Sequence, residues 1–288
     1  MYNLAMRTID FVITDENAGK RIKEFLRAFG VSGSLLKKLK NTENGICKNG
    51  APARTIDTVF CGDRLQINIE DSGKAPESAD IKINLLYEDE DLIAAEKPAF
   101  MPVHESRNHR GDTLSNAVAD ICGGAFRAIY RLDRDTSGIV LIAKNEFAAA
   151  KLAGRVRKDY YAVVCGRIEG SGVIDAPIKR ERESIIKRCV APDGESAVTH
   201  YTALKHSEKY TLIKLKLETG RTHQIRVHFA HIGYPLAGDT LYGGSTEEIS
   251  RQALHCRDIY FSHPVSEEEI HIFCEMPQDM KKLIEEMV

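Results

Sequence analysis

The chain has 288 residues, a length that suits two domains and can bury a full core. Its 40 Lys and Arg against 42 Asp and Glu leave a formal net charge of −2, so nucleic-acid binding would need charge gathered on one face, not a basic whole. The seven cysteines contain no Cys-x-x-Cys pair, which argues against a zinc ribbon or a dithiol redox pair. Met1–Glu16 carries no apolar leader, and the apolar run Ile139–Ala143 is far too short to span a membrane. A cytoplasmic protein with reduced thiols is expected.

Along the chain, Ile22, Phe25, Leu26 and Phe29 recur at helical spacing and predict one buried helix face, stopped at Gly30. Ser34 is the expected cap of a second short helix carrying Leu35, Leu36 and Leu39. Asn49-Gly50 predicts a tight hairpin turn, and Gly62-Asp63 precedes an alternating strand, Arg64–Ile69. Lys20, Arg21, Lys23 and Arg27 gather on the first helix, and Lys37, Lys38 and Lys40 on the second; together they offer a face that can track phosphates. Two helices followed by small strands resemble the S4 RNA-binding module. The matching pieces are Gly19–Ile22, Lys48-Asn49-Gly50 and Gly62-Asp63-Arg64. Gly33 stands where such modules usually carry an arginine, and lower RNA affinity is expected from that difference.

Asp71–Asp80 is polar, rich in Gly, Pro and Ser, and reads as a linker. From Ile81 onward short apolar strands alternate with polar loops and a few helices, without a sustained βαβ rhythm. The expected fold class is α+β, with a mixed, mostly antiparallel sheet preceded by a small α/β domain. The expected division is 1–70, a linker at 71–80, and 81–288.

The chemistry concentrates in Tyr130-Arg131-Leu132-Asp133-Arg134-Asp135-Thr136-Ser137-Gly138, which runs into the apolar strand Ile139–Ala143. A carboxylate beside fixed cations at the mouth of a strand suits a nucleophile or an acid/base group. This string resembles the catalytic-aspartate motif of the RluA-type RNA pseudouridine synthases. Three more segments match that family in the same order: Leu86–Ile93 with Glu96-Lys97-Pro98, Arg157–Gly166, and Thr219–Gly233 with Pro235–Asp239 and Tyr242-Gly243. Together the matches cover roughly 85–275, and the S4-like part covers 12–70.

The resemblance implies a pseudouridine synthase catalytic domain that isomerises uridine in RNA and uses neither a cofactor nor a metal. It makes Asp133 the catalytic nucleophile, adding to the uracil ring or forming a transient intermediate at the ribose. Tyr160 becomes the active-site tyrosine, stacking on the base or serving in the proton transfer from C5. Arg226 becomes the partner that keeps the aspartate ionised and oriented, so its guanidinium is expected within reach of Asp133. Arg131 becomes the side chain that enters the RNA where the target nucleotide flips out. Ile225 is placed against the uracil, and Arg221 is a candidate phosphate contact or a structural hydrogen-bond donor. An S4-like module in front points to ribosomal RNA of the large subunit, with transfer RNA as the other candidate. The protein is expected to be a monomer.

Several residues have plainer readings. Asp135 is expected to be a loop carboxylate, Tyr161 to be structural, and Lys97 to be either catalytic-domain architecture or a surface lysine. Thr136-Ser137-Gly138 is expected to fix its turn through side-chain bonds to backbone. Phe100 stands where the family usually has glycine, and Tyr130 where it usually has histidine. His223, His228 and His231 have no acidic or thiolate partner at metal-ligand spacing and are expected on the surface or in the core. A glycosidase built on Asp133 and Asp135 is disfavoured: it needs carboxylates about 5–9 Å apart across a bond, whereas side chains two apart on an extended segment point opposite ways. The other alternative is an RNA-binding ribosome-assembly factor without catalysis.

Overall fold

The computed structural model describes residues 6–71, 73–182, 184, 186–285 and 287. The first five residues of the predicted N-terminal unit, and Ser72 of the predicted linker, lie outside the described residues.

The N-terminal part runs β1 (Met6–Val12), α1 (Ile22–Phe29), α2 (Gly33–Asn41), β2 (Ile46–Lys48), β3 (Ala51–Pro52) and β4 (Arg64–Glu70). Its strands form one sheet in the order β1-β4-β2-β3. Ile22, Phe25 and Leu26 are buried on α1, and Gly30 closes the helix at φ 108°. The cap of α2 is Ser32, not Ser34: its hydroxyl accepts from the Leu35 N–H at 3.1 Å, so the helix begins two residues earlier than the sequence predicts. Asn49 and Gly50 both have positive φ (52° and 81°), the geometry of the tight hairpin joining β2 to β3.

The second part follows with β5 (Asn84–Glu88), β6 (Leu92–Lys97), the short helices α3 (Leu114–Ala117) and α4 (Ala119–Cys122), β7 (Arg127–Ala128), β8 (Ser137–Ala143) and α5 (Glu146–Leu152). Then come β9 (Arg157–Cys165), β10 (Ser171–Asp175), β11 (Ile178–Arg180), β12 (Arg188–Val190), β13 (Val198–His206) and β14 (Tyr210–Leu217). The chain finishes with α6 (Gln224–His231), β15 (Leu254–Ser262), β16 (Glu269–Phe273) and α7 (Gln278–Ile284). The main sheet is ordered β10-β13-β14-β9-β15-β8-β6-β5, with β16 on β15 and β7 on β8. Among the described strands every pairing is antiparallel except β8 with β15. The fold is therefore α+β with a mixed, mostly antiparallel sheet.

The parallel pair positions the chemistry. Strand β8 is buried along its whole length, which is why it reads as continuous Ile-Val-Leu-Ile instead of alternating. Gly138, at φ 122°, lies against β15 so closely that a Cβ there would come 2.3 Å from the Cys256 carbonyl oxygen. Thr136 and Ser137 are held by side chains, not by the backbone bonds the sequence predicts. Gln252 Nε2 donates to Thr136 Oγ1 at 3.2 Å, and Ser137 Oγ bonds His255 Nδ1 at 2.9 Å. The loop before β8 is thus fixed to a strand more than a hundred residues away.

The two parts are packed together. Phe147 of α5 is buried in the N-terminal core, its ring stacked 5.7 Å from Phe29. Arg7 forks onto Asp91 at 2.9 and 2.8 Å, and Lys38 pairs with Glu146 at 2.7 Å. The joining segment is tied down as well: Asp71 accepts both Nη atoms of Arg127, and Asn116 Nδ2 donates to the Glu77 carbonyl at 2.7 Å.

Candidate active site

The loop 131–136 is braced from below by Lys97. This lysine is fully buried, not a surface residue, and its ammonium donates to the carbonyls of Pro98 and Met101 at 2.8 Å and of Arg134 at 2.9 Å. Burial pushes its pKa down to about 7, with Asp135 and Asp133 pulling the other way. Three donated bonds from one nitrogen require three hydrogens, so the geometry is that of the ammonium. The turn it closes contains Phe100 at φ 65°, left-handed backbone where a Cβ is strained. The backbone thus keeps the conformation that a glycine would adopt more cheaply.

Asp133 opens a turn, its carbonyl accepting from the Thr136 N–H at 3.1 Å. Its carboxylate is partly exposed, and Oδ2 accepts from Arg226 Nη1 at 3.1 Å. Oδ1 has no hydrogen-bond partner among the described residues. Asp135 turns away into a two-bond pair with Arg134 and lines no part of the cleft.

Helix α6 supplies Arg226. The helix begins at Gln224, after a turn over Thr222-His223, and buries Ile225 and Phe229 against the sheet. Arg226 is itself buried, and Asp239 holds it in a fork: Nε to Oδ2 at 2.6 Å and Nη2 to Oδ1 at 2.9 Å. Burial opposes the guanidinium's charge, but the bonds and charges of Asp239 and Asp133 outweigh it, and its pKa is raised. With two nitrogens engaged by Asp239, the third, Nη1, faces Asp133 in a fixed direction.

His223 caps α6 in left-handed backbone (φ 57°). Its Nδ1 bonds the Tyr242 hydroxyl at 2.9 Å, and its Nε2 lies 3.7 Å from Asp133 Oδ2. Burial lowers its pKa, so the ring is neutral near pH 7. His228 is a core residue bonded to Thr199 and Ala176, and His231 is exposed.

These groups face an open cleft of about 390 Å³ lined by Arg131, Asp133, Tyr160, Arg221, His223, Ile225 and Arg226, together with apolar Leu132, Leu217 and Leu254. All six residues singled out from the sequence reach this one cleft. Tyr160 comes from β9, opposite Cys256 of β15 and Leu215 of β14. The residue is buried but for its contact with the cleft, and desolvation raises its pKa well above the usual tyrosine value, with Cys256 as a further cause. Tyr161, on the other face, accepts from Arg257 at 3.4 Å. Arg131 is exposed at the rim and forms no ion pair among the described residues. Arg221 is engaged structurally, pairing with Glu195 and donating to the Ser196 carbonyl. The residues that sequence reasoning missed are Asp239, His223 and Tyr242. Asp239 and Tyr242 lie in the matched segments Pro235–Asp239 and Tyr242-Gly243 but carry no expected role there; Gly238, with a φ of 77° and its backbone against the Arg251 carbonyl, makes the tight turn that delivers Asp239.

Residues 91–231 match the family model described as RNA pseudouridylate synthase. The chain is 39% identical to the uncharacterized RNA pseudouridine synthase YjbO of Bacillus subtilis (strain 168), over 91% of this chain and 98% of that one. It is 36% identical to the ribosomal large subunit pseudouridine synthase D of Escherichia coli (strain K12), over 96% and 93%. Among solved structures, human RNA Pseudouridylate Synthase Domain Containing 1 aligns with a TM-score of 0.58 at 25% identity, covering 67% of this chain and 83% of that one. The chain belongs to the RluA-type RNA pseudouridine synthases, isomerases that convert uridine in RNA to pseudouridine.

Proposed function

We propose that this enzyme isomerises specific uridines in the RNA of the large ribosomal subunit. The target supported by the relatives' names is ribosomal: a relative 36% identical over nearly the whole chain is a ribosomal large subunit pseudouridine synthase. The reaction breaks N1–C1′, forms C5–C1′, moves a proton off C5 and places one on N1. Neither carbon is reachable in a stacked base, so the nucleotide flips into the cleft and Arg131, exposed at the rim, fills the gap it leaves.

Asp133 acts as the nucleophile through Oδ1, the oxygen without a partner among the described residues. The observation that carries this role is the Arg226 contact at 3.1 Å, with Arg226 clamped by a buried Asp239. A guanidinium fixed on Oδ2 keeps the carboxylate ionised and directs its other oxygen to the cleft. Tyr160 and Ile225 border the uracil, and the Tyr160 hydroxyl, protonated at neutral pH, takes part in moving the C5 proton. Arg221, held by Glu195, shapes the rim where the RNA backbone passes.

Residues 6–70 act as an S4-like RNA-binding unit. Lys38 is used in docking this unit to α5, so the phosphate-facing charge comes from Arg21, Lys23, Lys37 and Lys40. The protein works in the cytoplasm as a monomer, without a cofactor. Large-subunit RNA and transfer RNA from a strain deleted for the gene, each incubated with the purified protein, test the target. New pseudouridine at defined positions in the ribosomal RNA is expected. Product confined to transfer RNA overturns the assignment.

A further inference from the structure

We propose that His223 and Tyr242 are positioning residues for the isomerisation: a hydrogen-bonded chain from the Arg188 backbone N–H through Tyr242 and His223 delivers a second, uncharged donor to Asp133 Oδ2. The Tyr242 oxygen accepts from the Arg188 N–H at 2.9 Å and also lies 2.9 Å from His223 Nδ1. A phenol has one hydrogen, and among the described residues His223 Nδ1 is the acceptor in reach of it. Tyr242 therefore donates to Nδ1, which must be unprotonated. The hydrogen of the neutral imidazole sits on Nε2, the nitrogen facing Asp133 Oδ2 at 3.7 Å.

The opposite tautomer would aim a lone pair at the carboxylate and repel it. A protonated ring would add a second full charge beside Arg226 and draw electron density from the oxygen that must attack. The neutral Nε2–H form avoids both: it binds Oδ2 by a dipole, restricts rotation of the carboxylate and leaves Oδ1 to the cleft. The 3.7 Å gap is closed by a small approach of the ring or by one water. Geometry supports a dedicated role. His223 holds left-handed backbone at the helix cap, where a bulky side chain is strained, and that backbone points its ring at Asp133. Tyr242 is also placed under the Arg226 guanidinium, 5.1 Å from ring centre to Cζ. The charged groups around the imidazole are Asp133 from the loop before β8, Arg226 from its own helix, Asp239 from the loop after α6 and Arg188 from β12.

The inference rests on Asp133 as the nucleophile, but its first test needs no RNA. In the full chain labelled with ¹⁵N-histidine, long-range proton–nitrogen correlations near pH 7.5 report which ring nitrogen carries hydrogen. The signal of His223 is identified by its loss in His223→Asn. The Nε2–H tautomer is expected in the native protein, and a mixture of tautomers in Tyr242→Phe. Under single-turnover conditions Tyr242→Phe should form pseudouridine about two- to tenfold more slowly with unchanged RNA affinity, the loss expected when one hydrogen bond between neutral groups no longer biases the tautomer. An Nδ1–H tautomer in the native protein, or native single-turnover rates in Tyr242→Phe, overturns the proposal.

Discussion

Arg226 and Asp133 meet through a single bond, Nη1 to Oδ2 at 3.1 Å, while the rest of the guanidinium is locked in a fork by Asp239. The direction of this contact is therefore set by a second carboxylate outside the cleft's surface. Asp239→Asn keeps the shape but loses the charge that anchors the fork. Turnover is expected to fall at least tenfold, with RNA binding retained. Asp239→Ala strands a buried guanidinium and should destabilise the fold by about 3–5 kcal/mol. Steady-state kinetics and urea unfolding of the two variants separate these effects.

Gly138 is required by space as well as by backbone angle. An added methyl would lie 2.3 Å from the Cys256 carbonyl oxygen, at φ 122°. Gly138→Ala must push β8 and β15 apart, and a loss of about 3 kcal/mol or more is expected from overpacking and strain together. Chemical denaturation gives the value. Wild-type stability in this variant would show that the strands do not approach as described.

Lys97 satisfies three backbone carbonyls with one ammonium. Lys97→Met removes all three donors at once. At about 1–3 kcal/mol for each buried acceptor left unpaired, a loss of about 3 kcal/mol is expected even after partial rehydration. The Arg134 carbonyl is one of the three, so catalysis should suffer more than RNA affinity. Thermal melts and single-turnover rates check both.

His255 makes stability depend on pH. Burial pushes its pKa down to about 4 while it bonds Ser137 and Cys274. The unfolded imidazole titrates near 6.5, so between these values the unfolded chain holds a proton that the native chain does not. Stability is thus lost as pH falls below about 6.5, and the loss levels off near pH 4. From pH 7 to pH 5 the native protein should lose about 2 kcal/mol more than His255→Gln. Urea unfolding at the two pH values measures it. Equal losses would mean that His255 does not stay neutral in the fold.

The sequence exposed what periodicity and local chemistry encode. The apolar stripe of α1, the Asn49-Gly50 turn and the buried run of β8 are visible because each is decided by neighbouring residues. The loop with Asp133 and the helix with Arg226 were legible as strings, and their contact followed. Distant partners were not legible. Thr136 and Ser137 bond Gln252 and His255, which lie beyond six intervening strands in sequence and adjoin β8 only through the parallel pairing. Asp239 arrives by a glycine turn, and His223 by a left-handed cap, neither of which leaves a periodic trace. Lys97 looked like an ordinary lysine because its three acceptors are backbone carbonyls. The choice between Ser32 and Ser34 turned on a single hydroxyl in a Ser-Gly-Ser run, where both residues carry the same chemistry.

If Asp133 is the nucleophile, the isomerisation of uridine depends on its carboxylate. Pseudouridine is mapped in large-subunit RNA from a strain deleted for the gene, after incubation with wild-type protein or with Asp133→Asn. New pseudouridine is expected with the wild type and none with Asp133→Asn, although the variant binds the RNA with similar affinity. Pseudouridine formed at the wild-type rate by Asp133→Asn would contradict it.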